Sequence, residues 1–330
     1  MQKSKIEWTE ATWNPVRGCS RVSPGCVNCY AERIAGRFCG KSHFPFFGFA
    51  TKKGWTGSVD VIEEKLADPL GWRKPRTIFV NSMSDLFHEK LPDEAIDRVF
   101  AVMALCPQHR FFVLTKRAKR MREWATARPD PGTRLLADMI HLTGNAEYCY
   151  ARQWPLPNVG LGVSCEDQQR ADERIPELLR TPAAMRFVSL EPLLGAIQLF
   201  PDGAFTDRQK FPMGFAAWSE ARRSEWFEGT ARATYMARQT GIDWVIVGGE
   251  SGPGARPMDV SWVRSIVAQC KAAGVPVFVK QLGAKPVSQI PCCAMECGCG
   301  FHYGFRNRKG GDPSEWPEDL RVRELPKFLT

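Results

Sequence analysis

Short runs of apolar, β-branched and aromatic residues recur along the chain at positions 77–81, 110–115, 159–164, 186–191, 244–250 and 275–280. They are apolar nearly throughout rather than alternating. That pattern predicts strands buried on both faces, as in a parallel sheet. The stretches between them have helical spacing. Residues 93–105 place Ile96, Val99, Phe100 and Met103 on one face, with Pro92 and Asp93 as a start. Residues 260–273 group Trp262, Val263, Ile266 and Val267, with Gly274 as a stop. A further strand is expected within 8–16, weakened by Pro15. Strand alternating with helix predicts an α/β fold with right-handed crossovers.

Seven strand–helix units suit a complete or partial (β/α) TIM-type barrel, with a doubly wound open sheet as the alternative. The placement of reactive side chains favours the barrel, because nearly every run ends in one. Asp85 follows the second strand, and Lys116 and Arg117 the third. Ser164, Glu166 and Asp167 follow the fourth, Glu191 ends the fifth, Glu250 the sixth, and Lys280 with Gln281 the seventh. Barrels do their chemistry on the ring of strand C-termini. Polar strand ends also arise wherever strands meet water, and that plainer reading stands for any single residue. Small neighbours at Gly248 and Gly249 are expected to let a ligand approach the backbone before Glu250.

The expected organisation is a barrel over 1–285 and a Cys-rich C-terminal extension over 286–330. Insertions should lie on the strand C-terminal face. Segment 36–57 is rich in Phe, Gly and Lys. Segment 200–241 mixes Arg208, Lys210, Arg222, Arg223, Arg232 and Arg238 with Trp218, Trp226 and Tyr235. Interleaved basic and aromatic residues suit phosphate contact and base stacking, and equally a solvated amphipathic helix.

The chain has 330 residues, 44% apolar and 25% charged, with a formal net charge of +9. This balance excludes a wholly disordered chain and fits a polyanionic partner. No apolar stretch approaches the roughly 20 residues of a membrane span. The N-terminus lacks the apolar run of a secretory signal, so a cytoplasmic location is expected. Seven of the 12 cysteines cluster at two places, and the other five are scattered. Clustered thiols in such a chain read as metal sites before disulfides. Neither a P-loop nor a G-x-G-x-x-G motif is present, and the five histidines show no triad spacing with a serine.

The first cluster, Cys19, Cys26 and Cys29, has the spacing C-x6-C-x2-C within loop 18–30, where Pro24 and Gly25 tighten the turn. Three protein ligands on a four-iron cluster leave one iron open to a substrate or cofactor. Zinc would want a fourth ligand, which Cys39 or His43 offers. Spacing alone leaves both open. The second cluster, Cys292, Cys293, Cys297, Cys299 and His302, suits zinc or an auxiliary iron–sulfur cluster.

Several segments together resemble a phage-associated family of uncharacterised proteins, also common in bacteria, with a three-cysteine motif similar to that of radical S-adenosylmethionine (SAM) enzymes. The resemblance rests on Trp13-Asn14-Pro15, Gly18-Cys19, Pro24-Gly25-Cys26, Cys29-Tyr30-Ala31 and Asn81-Ser82-Met83-Ser84-Asp85. It extends over Leu114-Thr115-Lys116-Arg117, Leu190-Glu191-Pro192, Gly248-Gly249-Glu250, Lys280-Gln281 and Lys309-Gly310-Gly311-Asp312. It implies that Cys19, Cys26 and Cys29 hold a [4Fe–4S] cluster whose open iron binds SAM. Ser82, Ser84 and Asp85 would contact the methionine amino group, and Ser164 and Glu166 the ribose. Glu191, Glu250, Lys116 and Lys280 would line the substrate side as proton donors or charge partners. The loop departs from that superfamily in having six residues, not three, between its first two cysteines. The resemblance also implies a three-Cys-motif partner protein.

The expected function is a radical SAM-like enzyme acting on nucleic acid or a nucleotide, in modification or repair. Two other readings remain. One is a zinc-stabilised, non-catalytic nucleic-acid-binding or phage–host interaction protein. The other is a metal-dependent hydrolase on the same barrel, using Glu191 and Glu250.

Overall fold

A computed structural model describes residues 6–40, 45–127, 131–144, 154–200, 241–291 and 300–329. They fall into two compact units. One runs up to Ser164 and adds Thr181–Met185; the other comprises Cys165–Arg180 and Arg186–Phe328.

The first unit begins with β1 (Ala11–Trp13) and β2 (Val16–Arg17), then α1 (Tyr30–Arg37). Short pieces follow: β3 (Ala50–Thr51), β4 (Gly54–Trp55), β5 (Asp60–Val61) and α2 (Glu63–Leu66). The unit continues with β6 (Thr77–Val80), α3 (Asp93–Ala104), β7 (Arg110–Thr115), α4 (Ala118–Ala125), α5 (Pro131–Thr143) and β8 (Val159–Ser164). Strands β1, β6, β7 and β8 pair in that order, all parallel. Every residue of β8 is buried, as expected of a strand covered on both faces.

The strand expected within 8–16 is split. Asn14 leaves the strand at Pro15, and its Oδ1 accepts from the Met83 amide and the Ser82 hydroxyl. The chain then turns so that β2 pairs antiparallel with β5.

Helix α3 buries Ile96, Val99, Phe100 and Met103, the face its spacing predicts. It also buries Asp97, whose carboxylate accepts from Trp124 Nε1 at 2.9 Å and from Arg134 Nε and Nη2, both at 2.9 Å. Arg134 in turn lies over the Trp124 ring. Asp97 thus ties α3, α4 and α5 together. Asp97→Ala is expected to destabilise the fold by about 2–3 kcal/mol, because it orphans a buried indole N–H and a half-buried guanidinium. Urea unfolding reads this directly.

The second unit contains α6 (Gln168–Arg180), β9 (Met185–Leu190), β10 (Trp244–Gly248), β11 (Met258–Asp259), α7 (Val260–Ala273), β12 (Val277–Gln281), β13 (Pro286–Pro291) and β14 (Gly300–His302). Strand β10 pairs parallel with β9 on one side and β12 on the other. Strands β11, β13 and β14 form a small separate sheet. Helix α7 starts where Asp259 accepts from the Ser261 amide at 2.8 Å and stops at Gly274 in the left-handed conformation. The C-terminal segment packs on β12: Val279 N donates to Val322 O, and Arg323 lies over the rings of Phe278 and Trp316.

All the expected strands are present, and within each unit they pair parallel, with helices between them along the chain. The architecture is α/β and compatible with a partial (β/α) barrel. Among the described residues no helix is long and apolar enough to cross a membrane. The basic and aromatic stretch 201–240 and the cysteines 292, 293, 297 and 299 lie outside the described residues.

Candidate metal centre and strand ends

The three-cysteine loop leaves β2 through Gly18, which sits at φ +91°. A Cβ there would fall 1.9 Å from the Ser58 carbonyl oxygen, so only glycine fits. Gly18 also bridges to Ser84 in the loop after β6. Pro24–Cys26 then forms one 3-10 turn, with Cys26 N donating to Ser23 O, and Cys29 N donating to Cys26 O. Cys29 is the residue before α1, and its carbonyl accepts from Arg33 N. Cys19, Cys26 and Cys29 are free and half-buried.

Burial pushes the Cys19 thiol up to about 12; the Asp85 carboxylate and Cys29 add to this and Arg117 opposes it. Burial also raises Cys29, while the Glu32 and Ala31 amides at the start of α1 and the Lys116 ammonium pull it down. The thiols therefore interact: Cys19 with Cys29, and Cys29 with Cys26. Cations lie near them, each paired with a carboxylate. Arg117 Nη1 lies 3.9 Å from Cys19 Sγ while bound to Asp85 and Glu89. Arg21 interacts with Cys26 and Cys29 while gripping Glu32. Sulfur-only donors with guanidinium groups and helix amides nearby suit a thiolate-bound, anionic metal group. Among the described residues no three His, Cys, Asp or Glu side chains form a ready-made ligand set for a metal ion. Cys39, the candidate fourth zinc ligand, donates to Gly36 O and packs beside Ala35 and Phe46. His43 lies outside the described residues.

The loop after β6 stands against this one. Asn81 is buried at φ +58°, its Oδ1 accepts from Val16 N, and its Nδ2 has no partner among the described residues. A buried donor without an acceptor costs about 1–3 kcal/mol, which a bound polar group would relieve. Left-handed backbone at a non-glycine residue concentrates at functional sites. The Ser82 hydroxyl donates to Asn14 and that of Ser84 to Val16 O, so both oxygens can still accept. Tyr30 anchors α1 by donating to Ser82 O. Asp85 is fully engaged. One carboxylate oxygen accepts from Thr115 Oγ1 and Phe87 N, the other from Lys116 N and Arg117 Nη1.

At the ends of β7 and β8, Lys116 Nζ donates to Ser164 Oγ at 2.7 Å. The structure thus brings the cysteines, Ser82, Ser84, Asp85, Lys116 and Ser164 together within the first unit.

In the second unit, Glu166 is fully buried and paired with Arg174 at 3.0 Å. Glu191 Oε1 pairs with Lys280 Nζ at 2.9 Å, and its Oε2 accepts from Ser189 Oγ. Gly248 makes room for that pair, because a Cβ there would lie 2.7 Å from Glu191 Oε1. Glu250 is buried and held by Arg256, which donates to both carboxylate oxygens. The neighbouring glycines bring backbones together rather than opening a path for a ligand. A Cβ on Gly249 would meet Leu282 O at 2.6 Å, and one on Gly310 would meet Gly283 O at 2.4 Å.

The sequence placed Arg117 among the reactive strand-end side chains without giving it a role, and did not single out Ser20, His88, Arg21 or Glu89. Arg117 and Cys19 are separated by 98 positions, and no spacing rule links them. The second candidate metal site lies outside the described residues except for the backbone of His302 in β14.

Comparison with known proteins returns one result. No curated protein and no solved structure matches the chain. A family model described as a protein of unknown function, DUF5131, matches residues 3–306. That match spans both described units and every candidate residue outside the extreme C-terminus, so the chain belongs to the DUF5131 family of proteins of unknown function.

Proposed function

We propose that this protein is an iron–sulfur, radical SAM-like enzyme that acts on nucleic acid or a nucleotide. The observation that carries the reading is the free thiol trio in the loop after β2, with Arg117 Nη1 3.9 Å from Cys19 Sγ and the charges of Arg21 and Lys116 acting on the other thiols. A [4Fe–4S] cluster held there would supply one electron to the sulfonium of SAM and so a 5′-deoxyadenosyl radical for hydrogen abstraction.

The chain's own residues do the rest. Cys19, Cys26 and Cys29 ligate, each losing its proton to do so. The oxygens of Ser82 and Ser84 would accept from the methionine ammonium, and Asp85 holds Lys116 N and Arg117 in place. Lys116 keeps two N–H donors beyond the one it gives to Ser164, and these would serve a ribose or carboxylate oxygen. Glu166, buried on Arg174, supports its loop. In the second unit, Glu191 and Lys280 can hold or exchange a proton between Oε1 and Nζ. Arg256 keeps Glu250 as a carboxylate partner for a cationic group. The nucleic-acid assignment rests on the net charge of +9 and the basic, aromatic stretch within 200–241. A three-Cys-motif protein is the proposed partner.

The same sulfur donors also suit structural zinc, which would make this a binding module. One experiment separates the readings. Anaerobically purified, dithionite-reduced protein is incubated with SAM and assayed for 5′-deoxyadenosine by liquid chromatography. Formation of the product, at several turnovers or more over a SAM-only control, is expected. A cluster-loaded protein that yields none contradicts radical chemistry, and a colourless zinc protein favours the binding module. Binding to single-stranded DNA or RNA should weaken steeply as salt rises; salt-independent binding contradicts phosphate contact.

A further inference from the structure

We propose that Arg117 is the positioning residue of this metal centre. Its guanidinium fixes Cys19 and raises the reduction potential of the iron–sulfur group the trio holds. The inference rests on the iron–sulfur reading above.

Arg117 is buried just past the end of β7, and its fork reaches four residues at once. Nε donates to both oxygens of Glu89, each at 2.9 Å. Nη1 donates to Asp85 Oδ2 at 3.0 Å and lies 3.9 Å from Cys19 Sγ. Nη2 donates to Ser20 Oγ at 2.9 Å and to Ser20 O at 3.3 Å. One rigid planar group therefore joins the β6 loop to the first cysteine of the metal loop. A lysine keeps the charge but cannot reproduce the fork.

Ser20 is held from the other side as well. His88 is buried, and its Nδ1 accepts from the Lys90 amide at 3.2 Å. The ring proton therefore sits on Nε2, which donates to Ser20 Oγ at 2.8 Å. In this state His88 cannot take a proton from Ser20, so the pair is not a nucleophilic dyad. Ser20 Oγ accepts twice, and the residue beside Cys19 is locked by two cationic or donor groups.

The sign of the redox effect follows from charge. A donor against a thiolate ligand, and a cation near a cluster, stabilise the reduced, more negative state. Removing Arg117 loses that donor. It also leaves Asp85, already close enough to act on Cys19, without its counter-charge. Both changes move the potential down.

The test uses the full-length protein purified anaerobically, as wild type, Arg117→Lys and Arg117→Gln. Iron and sulfide are measured, and the cluster potential is read by dye-mediated titration followed by EPR. The expected result is a more negative potential in both variants, larger in Arg117→Gln, with part of the iron also lost. Falling iron content with an unchanged potential in the remaining clusters means a structural role only, and overturns the proposal. A wild type without an iron–sulfur cluster overturns both this proposal and the functional reading. A loaded wild type with identical potentials throughout overturns this one alone. Should both Arg117 variants fail to fold, Ser20→Ala removes only the hydroxyl anchor and is expected to shift the potential the same way by a smaller amount; no shift overturns the proposal.

Discussion

Cys26→Ala is expected to purify as a folded, colourless protein with iron near background and no 5′-deoxyadenosine formation. Cys26 ends the Pro24–Cys26 turn, whose backbone hydrogen bonds run from Cys26 N to Ser23 O and from Val27 N to Pro24 O. Alanine keeps both and loses only the 3.9 Å contact between Cys26 Sγ and Ser23 Oγ. Its side chain is half-buried, so the cost to folding should stay within about 1 kcal/mol. The metal centre loses far more. Two remaining thiolates cannot fix a four-iron cube against solvent, so occupancy should drop by tenfold or more. Iron assay and an unfolding curve on the same preparation separate the two effects. Unchanged iron with an intact fold would move the metal elsewhere in the chain.

Gly18→Ala should have the largest effect on stability of any single methyl addition near the site. The new Cβ would sit 1.9 Å from Ser58 O and 3.0 Å from Phe49 Cδ1, at a backbone φ of +91°. Neither the carbonyl nor the φ can adjust without moving the segment around Ser58 or the Gly18–Ser84 bridge. Strained φ and a backbone clash together put the cost on the order of 3 kcal/mol. Because Cys19 is the next residue, iron content should fall as well. A urea midpoint equal to wild type would mean that loop 18–30 does not take this path.

Part of this arrangement was legible in the sequence. Helix α7 was readable from its spacing and from Gly274, which stops it through local chemistry, whereas Asp259, which caps it, was not singled out. Strands β7 and β8 were equally clear, since their central residues are apolar and buried on both faces. The first strand was not, because its break depends on Asn14 reaching Met83 and Ser82 far along the chain. The cysteine trio announced itself by spacing. Its surroundings could not, because Arg117 and His88 reach the loop only through the fold. Asp85 shows the same limit. Its position after a strand suggested a cofactor contact, yet all its acceptor positions are engaged by Phe87, Thr115, Lys116 and Arg117. The glycines beside Glu250 read as an opening for a ligand and instead let three backbone segments touch.

The most direct test of the account is the iron and acid-labile sulfide content of anaerobically purified protein, with its visible spectrum. A brown protein with about four of each per chain is expected, or about eight should a second cluster fill. A colourless protein that holds only zinc, or no metal at all, would contradict it.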